Sequence, residues 1–364
     1  MQRREWMFGV LTAAGVTATS LGLGALPRIA RSQSAVDAVD RIGLLLPRSA
    51  GPFGRASVAV RAGVEAGFRR DGRGLAVDIY EIDETPQTLA AAYRGMLERG
   101  TALVLGPLTR NGATALLELG DIPITTIALN QIDGDGALPW NVLIFTLAIE
   151  QEAVQVADSA FQSVRERLSG SRPPRANVVT ATSAIGKRAA GAFYERWRSL
   201  GGEAALPLEL EESALYKLRT AIKKEDGDVY FLSMGPQLAQ PVRIIIGGGV
   251  PIYGTSLLST GGIEQTARAP GLDGVRLVEM PSVIQPNLVS MLGYPKAPAE
   301  FTLEMLRLYA LGIDAFRVAR AMFSGQPGFE IDGLTGKLRY DGRQPRIERY
   351  ASPAEYRDGT PTAS

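Results

Sequence analysis

The chain has 364 residues, 45% hydrophobic and 21% charged, with a formal net charge of +1. That is an ordinary globular balance with enough material for two packed cores. It contains neither Cys nor His, which excludes disulfide frameworks, thiolate metal sites, thiol nucleophiles and His-based acid–base chemistry.

Residues 1–34 read as a twin-arginine-like export signal. Arg3 and Arg4 precede a mildly apolar stretch rich in Gly, Ala and Thr, and Trp6 and Met7 take the positions of large apolar residues. Small residues at Ala30 and Ser32 offer a cleavage site. A Sec signal or an uncleaved anchor is the plainer alternative. Residues 9–26 are long enough to cross a bilayer, but their Gly, Thr and Ser make a weak membrane helix. This segment carries four Arg and one Glu, so its removal leaves a net charge of −2. Acidic and basic residues are interspersed beyond it, with no aromatic-laced basic patch, so nucleic acid is not an expected partner. No later stretch reads as a membrane span. The expected location is the periplasm, and without Cys no lipid anchor is expected.

Short runs rich in Val, Ile and Leu at 42–46, 75–82, 102–105, 122–129 and 142–145 alternate with segments of helical period, the pattern of βαβ units around a parallel sheet. The first helix, near 53–70, exposes Arg61, Glu65 and Arg69. Gly63 and Gly67 repeat at the same spacing and predict a close approach of its backbone to the sheet. Thr85 and Pro86 mark a helix start. A long helix over 148–168 ends in SGSRPPR, and a second βα series opens at 177–180 with strands expected at 228–232, 242–246, 251–254 and 275–280. ATSAIGKRAAGAFYERW echoes residues 49–68, a weak internal repeat of two similar lobes. The strongest late helix covers 301–323, and GLTGKLRYDGRQPRIERY reads as a hairpin or bent strand pair. The expected architecture is α/β: two lobes, each a mainly parallel sheet flanked by helices. Lobe one is expected at 36–148 and 283–325, and lobe two at 149–282 and 326–364.

In doubly wound lobes, ligands bind at the carboxyl ends of strands. Ser49, Gly51, Gly106, Thr109, Asn130, Ser183 and Ser233 each lie at or just after such an end, so they are expected to converge on an interlobe crevice. Strand termination and helix capping explain each of them singly. The neutral polarity predicts a neutral or zwitterionic ligand, unless Arg110 turns inward and admits an anion. Neither a GxSxG elbow nor a P-loop occurs, and the carboxylate pairs Glu211–Glu212 and Asp226–Asp228 read as solvated charges. An enzyme is not expected, and no cofactor or metal is called for.

The segments IGLLLPRSAGPFGRA, LVLGPLTRNGATALL, ITTIALNQ, FTLAIEQEA, IGKRAAGAFYERWRSLGG, RLYALGIDAFRVA and FEIDGLTGKL follow one another in order. Together they resemble the penicillin-binding protein activator family, the LppC-type proteins, across residues 40 to about 350. ALNQ, FTLAIEQEA and YALGIDAFR are the more specific segments. The resemblance implies the fold of type I periplasmic binding proteins and a regulatory contact with a bifunctional penicillin-binding protein, governing peptidoglycan synthesis. Well-known members are lipoproteins with a helical-repeat domain ahead of this fold, features not expected here. Tyr294, in the Pro-flanked stretch GYPKAPAEF, is the candidate partner contact, with a plain linker as the alternative. The rival reading is a solute-binding subunit of an ABC transporter for a small polar ligand. Its second-lobe loops, TSAIGKR and SMGPQ, offer no carboxylate for an amino-acid ammonium.

Overall fold

A computed structural model describes residues 39–134, 137–211, 215, 216, 218, 227–262, 267–285 and 287–364. The export segment at 1–34, Glu212 and Asp226 lie outside them.

The described residues form three sheets. The first is parallel, in the order β2-β1-β3-β4-β5, from β1 (Asp40–Pro47), β2 (Leu75–Ile82), β3 (Thr101–Leu105), β4 (Thr125–Ala128) and β5 (Val142–Ile144). Apolar side chains from Ile42 to Leu46 are buried, as a parallel strand covered on both faces requires, whereas edge strand β2 is half-buried throughout. Helices α1 (Gly54–Asp71), α2 (Pro86–Glu98) and the short α3 (Arg110–Ala115) connect these strands. Thr85 caps α2, its hydroxyl accepting from the Thr88 N–H while the Thr88 hydroxyl accepts from the Thr85 N–H, with Pro86 in the first turn.

The chain then crosses through α4 (Ile149–Leu168) into the second sheet. There β6 (Arg175–Ala181), β9 (Val229–Ser233), β10 (Ile252–Gly254) and β11 (Arg276–Glu279) run parallel, with β7 (Glu203–Ala204) and β8 (Leu208–Leu210) beside β6. Helix α5 (Ala184–Ser199) packs on this sheet through Phe193 and Trp197, Phe193 stacking on Phe231 at 4.1 Å. The stretch expected as a strand at 242–246 is instead the end of helix α6 (Pro236–Ile246). Its β-branched run imitates a strand. However, Gly235–Pro236 starts a helix there, and Ala239 and Val242, three apart, are the buried residues.

A short helix, α7 (Pro281–Ile284), leads back to α8 (Leu303–Phe323), which lies along α1. The last strands divide. A three-stranded antiparallel sheet, β12 (Phe329–Asp332), β13 (Lys337–Tyr340) and β14 (Glu348–Tyr350), contributes Leu338 and Tyr340 to the core of the first lobe, joined by Ile347 just before β14. Strands β15 (Ser352–Arg357) and β16 (Thr360–Ala363), unforeseen in the sequence, extend the second sheet, β15 antiparallel to β11 and β16 antiparallel to β15. The expectation that 326–364 belongs wholly to lobe two is therefore corrected, because Leu338 and its neighbours share a core with β1 and β3.

The α1–α8 contact explains the glycine spacing differently from expectation. The surface approached is α8, not the sheet. A Cβ on Gly63 would lie 2.1 Å from the Tyr309 carbonyl oxygen, and one on Gly312 would lie 2.3 Å from that of Val60. Gly67 leaves room for the Phe316 ring, which meets Phe68 edge-on at 6.1 Å. Backbone cannot yield as a side-chain tip can, so Gly63→Leu is expected to destabilise the first lobe by at least ~2 kcal/mol. Urea denaturation checks it: an unchanged midpoint contradicts the packing described.

Candidate functional site

Between the carboxyl ends of the two sheets lies a cavity of about 360 Å³. Thr109, Arg110 and Asn130 line it from the first lobe, Ile185 and Arg188 from α5, and Glu150 from the first turn of the crossing helix α4. Phe53, Ala56, Leu308 and Leu311 give it an apolar side.

Of the residues expected at a crevice, Thr109 and Asn130 line this cavity, and neither has its polar group free. The Thr109 hydroxyl donates to Glu84 and accepts from the Gly112 N–H, capping α3. The Asn130 amide donates to the Leu108 carbonyl at 2.9 Å and accepts from the Gln131 N–H. The other five lie outside its lining, each with local work. Ser49 donates from backbone and hydroxyl to Glu81, bonds that hold the Glu81 carboxyl below its usual range, the backbone bond most of all. The Gly51 N–H closes a turn on Arg48. Gly106, at φ 115, lets its loop pass Leu45, whose carbonyl oxygen would lie 2.1 Å from an added Cβ. Ser183 caps α5 through the Gly186 N–H, and buried Ser233 donates to the Gly186 carbonyl at 2.7 Å. Tyr294 is half-buried under Arg70, whose guanidinium carbon sits 4.2 Å above its ring, and its hydroxyl lies 3.4 Å from Asp71. Burial raises its pKa.

Sequence reasoning missed the charged groups. Glu84, buried at φ 32, accepts the N–H groups of Leu108 and Thr109 and so clamps the loop that presents Arg110. Burial pushes its carboxyl up. Arg110 does turn inward. Its Nε lies 3.1 Å from Asp133 and its Nη2 3.6 Å from Glu150, while Arg188 Nε donates to that same Glu150 carboxylate at 2.9 Å. Glu150 thus stands between guanidiniums from both lobes.

Two residues further along α4, Glu152 starts a buried chain of polar bonds. It accepts from Arg349 at 2.8 Å and from the Ser256 N–H at 3.0 Å. The Ser256 carbonyl accepts from Arg307, which pairs with buried Glu279. On the other side Arg349 donates to the Thr335 carbonyl at 3.1 Å. The Thr335 N–H and hydroxyl donate to Asp314, which also accepts from the Leu334 N–H. Three elements packed between the two sheets contribute to this chain: α4 through Glu152, α8 through Arg307 and Asp314, and the β12–β14 region through Thr335 and Arg349. FTLAIEQEA, YALGIDAFR and FEIDGLTGKL carry Glu152, Asp314 and Thr335. Spacing along the chain gave no signal that these charges meet.

The LppC putative lipoprotein family model matches residues 32–213 and 220–359. A penicillin-binding protein activator LpoA from Haemophilus ducreyi is 30% identical over 286 residues, covering 72% of this chain and 45% of that protein. The chain spans about half the length of the curated relatives it matches. Among solved structures, the LpoA C-domain from Haemophilus influenzae, a regulator of PBP1A, superposes with a TM-score of 0.70 at 21% identity, covering 89% of this chain and all of that one. A structure from Chromobacterium violaceum, described as a putative branched-chain amino acid ABC transporter, also reaches 0.70 at 29% identity, covering 87% of this chain and all of that one.

The two glutamates of α4 differ in exposure, and so in what their loss costs. Glu152 and Arg349 are 3% and 1% exposed, whereas Glu150 and Arg188 are 27% and 42% exposed. Glu152→Gln leaves a buried guanidinium unpaired and is expected to cost about 3–5 kcal/mol. Glu150→Gln is expected to cost at most about 1 kcal/mol. Denaturant titration of both variants checks the order, and equal losses would remove the buried chain from its role.

Proposed function

Because the chain belongs to the LppC family, we propose that it is an exported, non-enzymatic regulatory protein that contacts a bifunctional penicillin-binding protein and thereby regulates peptidoglycan synthesis. The observation that carries this reading is the family match along nearly the whole described chain, with relatives named as penicillin-binding protein activators. The interior supports it. Thr109 and Asn130 at the cavity bond to the protein itself, and α4 is tied to the β12–β14 sheet by a buried ion pair, as suits a fixed body presenting an outer surface. Tyr294 is not carried into the proposal as an anchor, since Arg70 and Asp71 already engage it.

Biosensor titration against the organism's own bifunctional penicillin-binding proteins tests the reading. Saturable binding with a Kd of about 10 μM or tighter is expected. No binding to any of them would shift the function to solute transport, the reading favoured by the likeness to the Chromobacterium violaceum structure.

Export to the periplasm is part of the same proposal. Among the described residues no helix is long and apolar enough to cross a membrane. Replacing Arg3 and Arg4 by Lys is expected to retain the precursor in the cytoplasm, read by cell fractionation. Undiminished periplasmic yield would reject the twin-arginine route.

A further inference from the structure

We propose that the interlobe cavity is a binding site for a small organic carboxylate with a compact apolar body, its carboxylate held between Arg110 and Arg188. The charged residues of the lining are Arg110, Arg188 and Glu150, two guanidiniums against one carboxylate. Asp133, the remaining acid near Arg110, is 60% exposed at the rim, where water and salt screen it. The lining itself therefore carries one net positive charge.

Hydrogen bonding points the same way. Arg110 Nε pairs with Asp133 at 3.1 Å without an aligned hydrogen bond, and the contact of Arg110 Nη2 with Glu150, at 3.6 Å, is beyond hydrogen-bond reach. Arg188 meets Glu150 through its Nε edge. A planar carboxylate accepts from two guanidiniums in the geometry that Arg offers best. Glu150 shows that a carboxylate fits between them, and as a side chain on α4 it reaches Arg110 poorly. A ligand carboxylate free to centre itself satisfies both guanidiniums, with Glu150 rotating toward water.

The rest of the cavity sets the ligand's body. Thr109 and Asn130 have their polar groups engaged by the protein, so they offer little to a sugar or a polar solute. Phe53, Ala56, Leu308 and Leu311 supply an apolar wall, and Ile185 faces them from the second lobe. A volume of about 360 Å³ lies at the low end of small-molecule pockets. Two guanidiniums and an apolar wall lining one small cavity describe a monocarboxylate of benzoate or hexanoate size.

Isothermal titration with benzoate and hexanoate tests this, with benzamide and hexanamide as uncharged isosteres. Saturable binding of at least one acid is expected at about millimolar Kd or tighter, weakening with added salt, and with neither amide binding. Arg110→Gln and Arg188→Gln, in separate lobes, are each expected to weaken it about tenfold or more, and Glu150→Gln to tighten it. Circular dichroism confirms that each variant is folded. The salt dependence and the amide controls read the charge on the unaltered protein should a variant fail to fold. Neither acid binding the wild type or Glu150→Gln would overturn the proposal, as would equal binding by the amides or by both arginine variants. The synthase contact is measured separately, so failure of either idea leaves the other standing.

Discussion

The ion pair between Glu152 and Arg349 is the constraint around which the two lobes are arranged. Both groups are almost wholly removed from water, and taking two charges inside costs more than their attraction returns unless the remaining donors and acceptors are also met. Here most of them are met in sequence: Glu279, Arg307, Ser256, Glu152, Arg349, Thr335 and Asp314 bond one to the next. Arg349 Nε alone among these charged groups lacks a partner. Such a chain adds little net stability relative to a hydrophobic core, but it fails as a unit when one member goes. It fixes how α4, α8 and the β12–β14 sheet meet between the two larger sheets.

The cavity depends on that arrangement. Glu150 stands two residues before Glu152, so the helix turn anchored by the buried pair also aims a carboxylate between Arg110 and Arg188. On the first-lobe side Glu84 does comparable work, gripping the loop after β3 by its N–H groups. Two buried acids thus set the positions of the exposed charges that face solvent across the lobes.

Much of this fold was legible in the sequence because periodicity reports burial. The run Ile42–Leu46 reads as a covered strand, and Thr85–Pro86 as a helix start, because each rests on contacts local to the pattern. Residues 242–246 misled because β-branching was the local signal, while burial of Ala239 and Val242 decided the outcome. The glycines of α1 announced a close approach but not its partner, since α8 is far away in sequence. At the cavity, polar residues at strand ends were legible as types, but which groups they satisfy was not. Ser233 faces the Gly186 carbonyl and Thr109 faces Glu84, pairings set by tertiary geometry alone. Arg188, at the start of α5, carried no periodic or capping signature.

The pairing of α1 with α8 also has a temporal side. Helix α1 emerges early in synthesis, and the surface marked by Gly63 and Gly67 is shaped to receive Tyr309, Gly312 and Phe316, which follow only after the whole second sheet apart from β15 and β16. Leu338, Tyr340 and Ile347 complete the same core later still. Contacts so distant in sequence carry a large loop-closure cost before they return any burial, which slows their formation. On the ribosome the nascent strands β1 to β5 therefore wait with one flank bare, open to misassembly or to chaperones. The half of the protein made first is still incomplete when most of the second has been made.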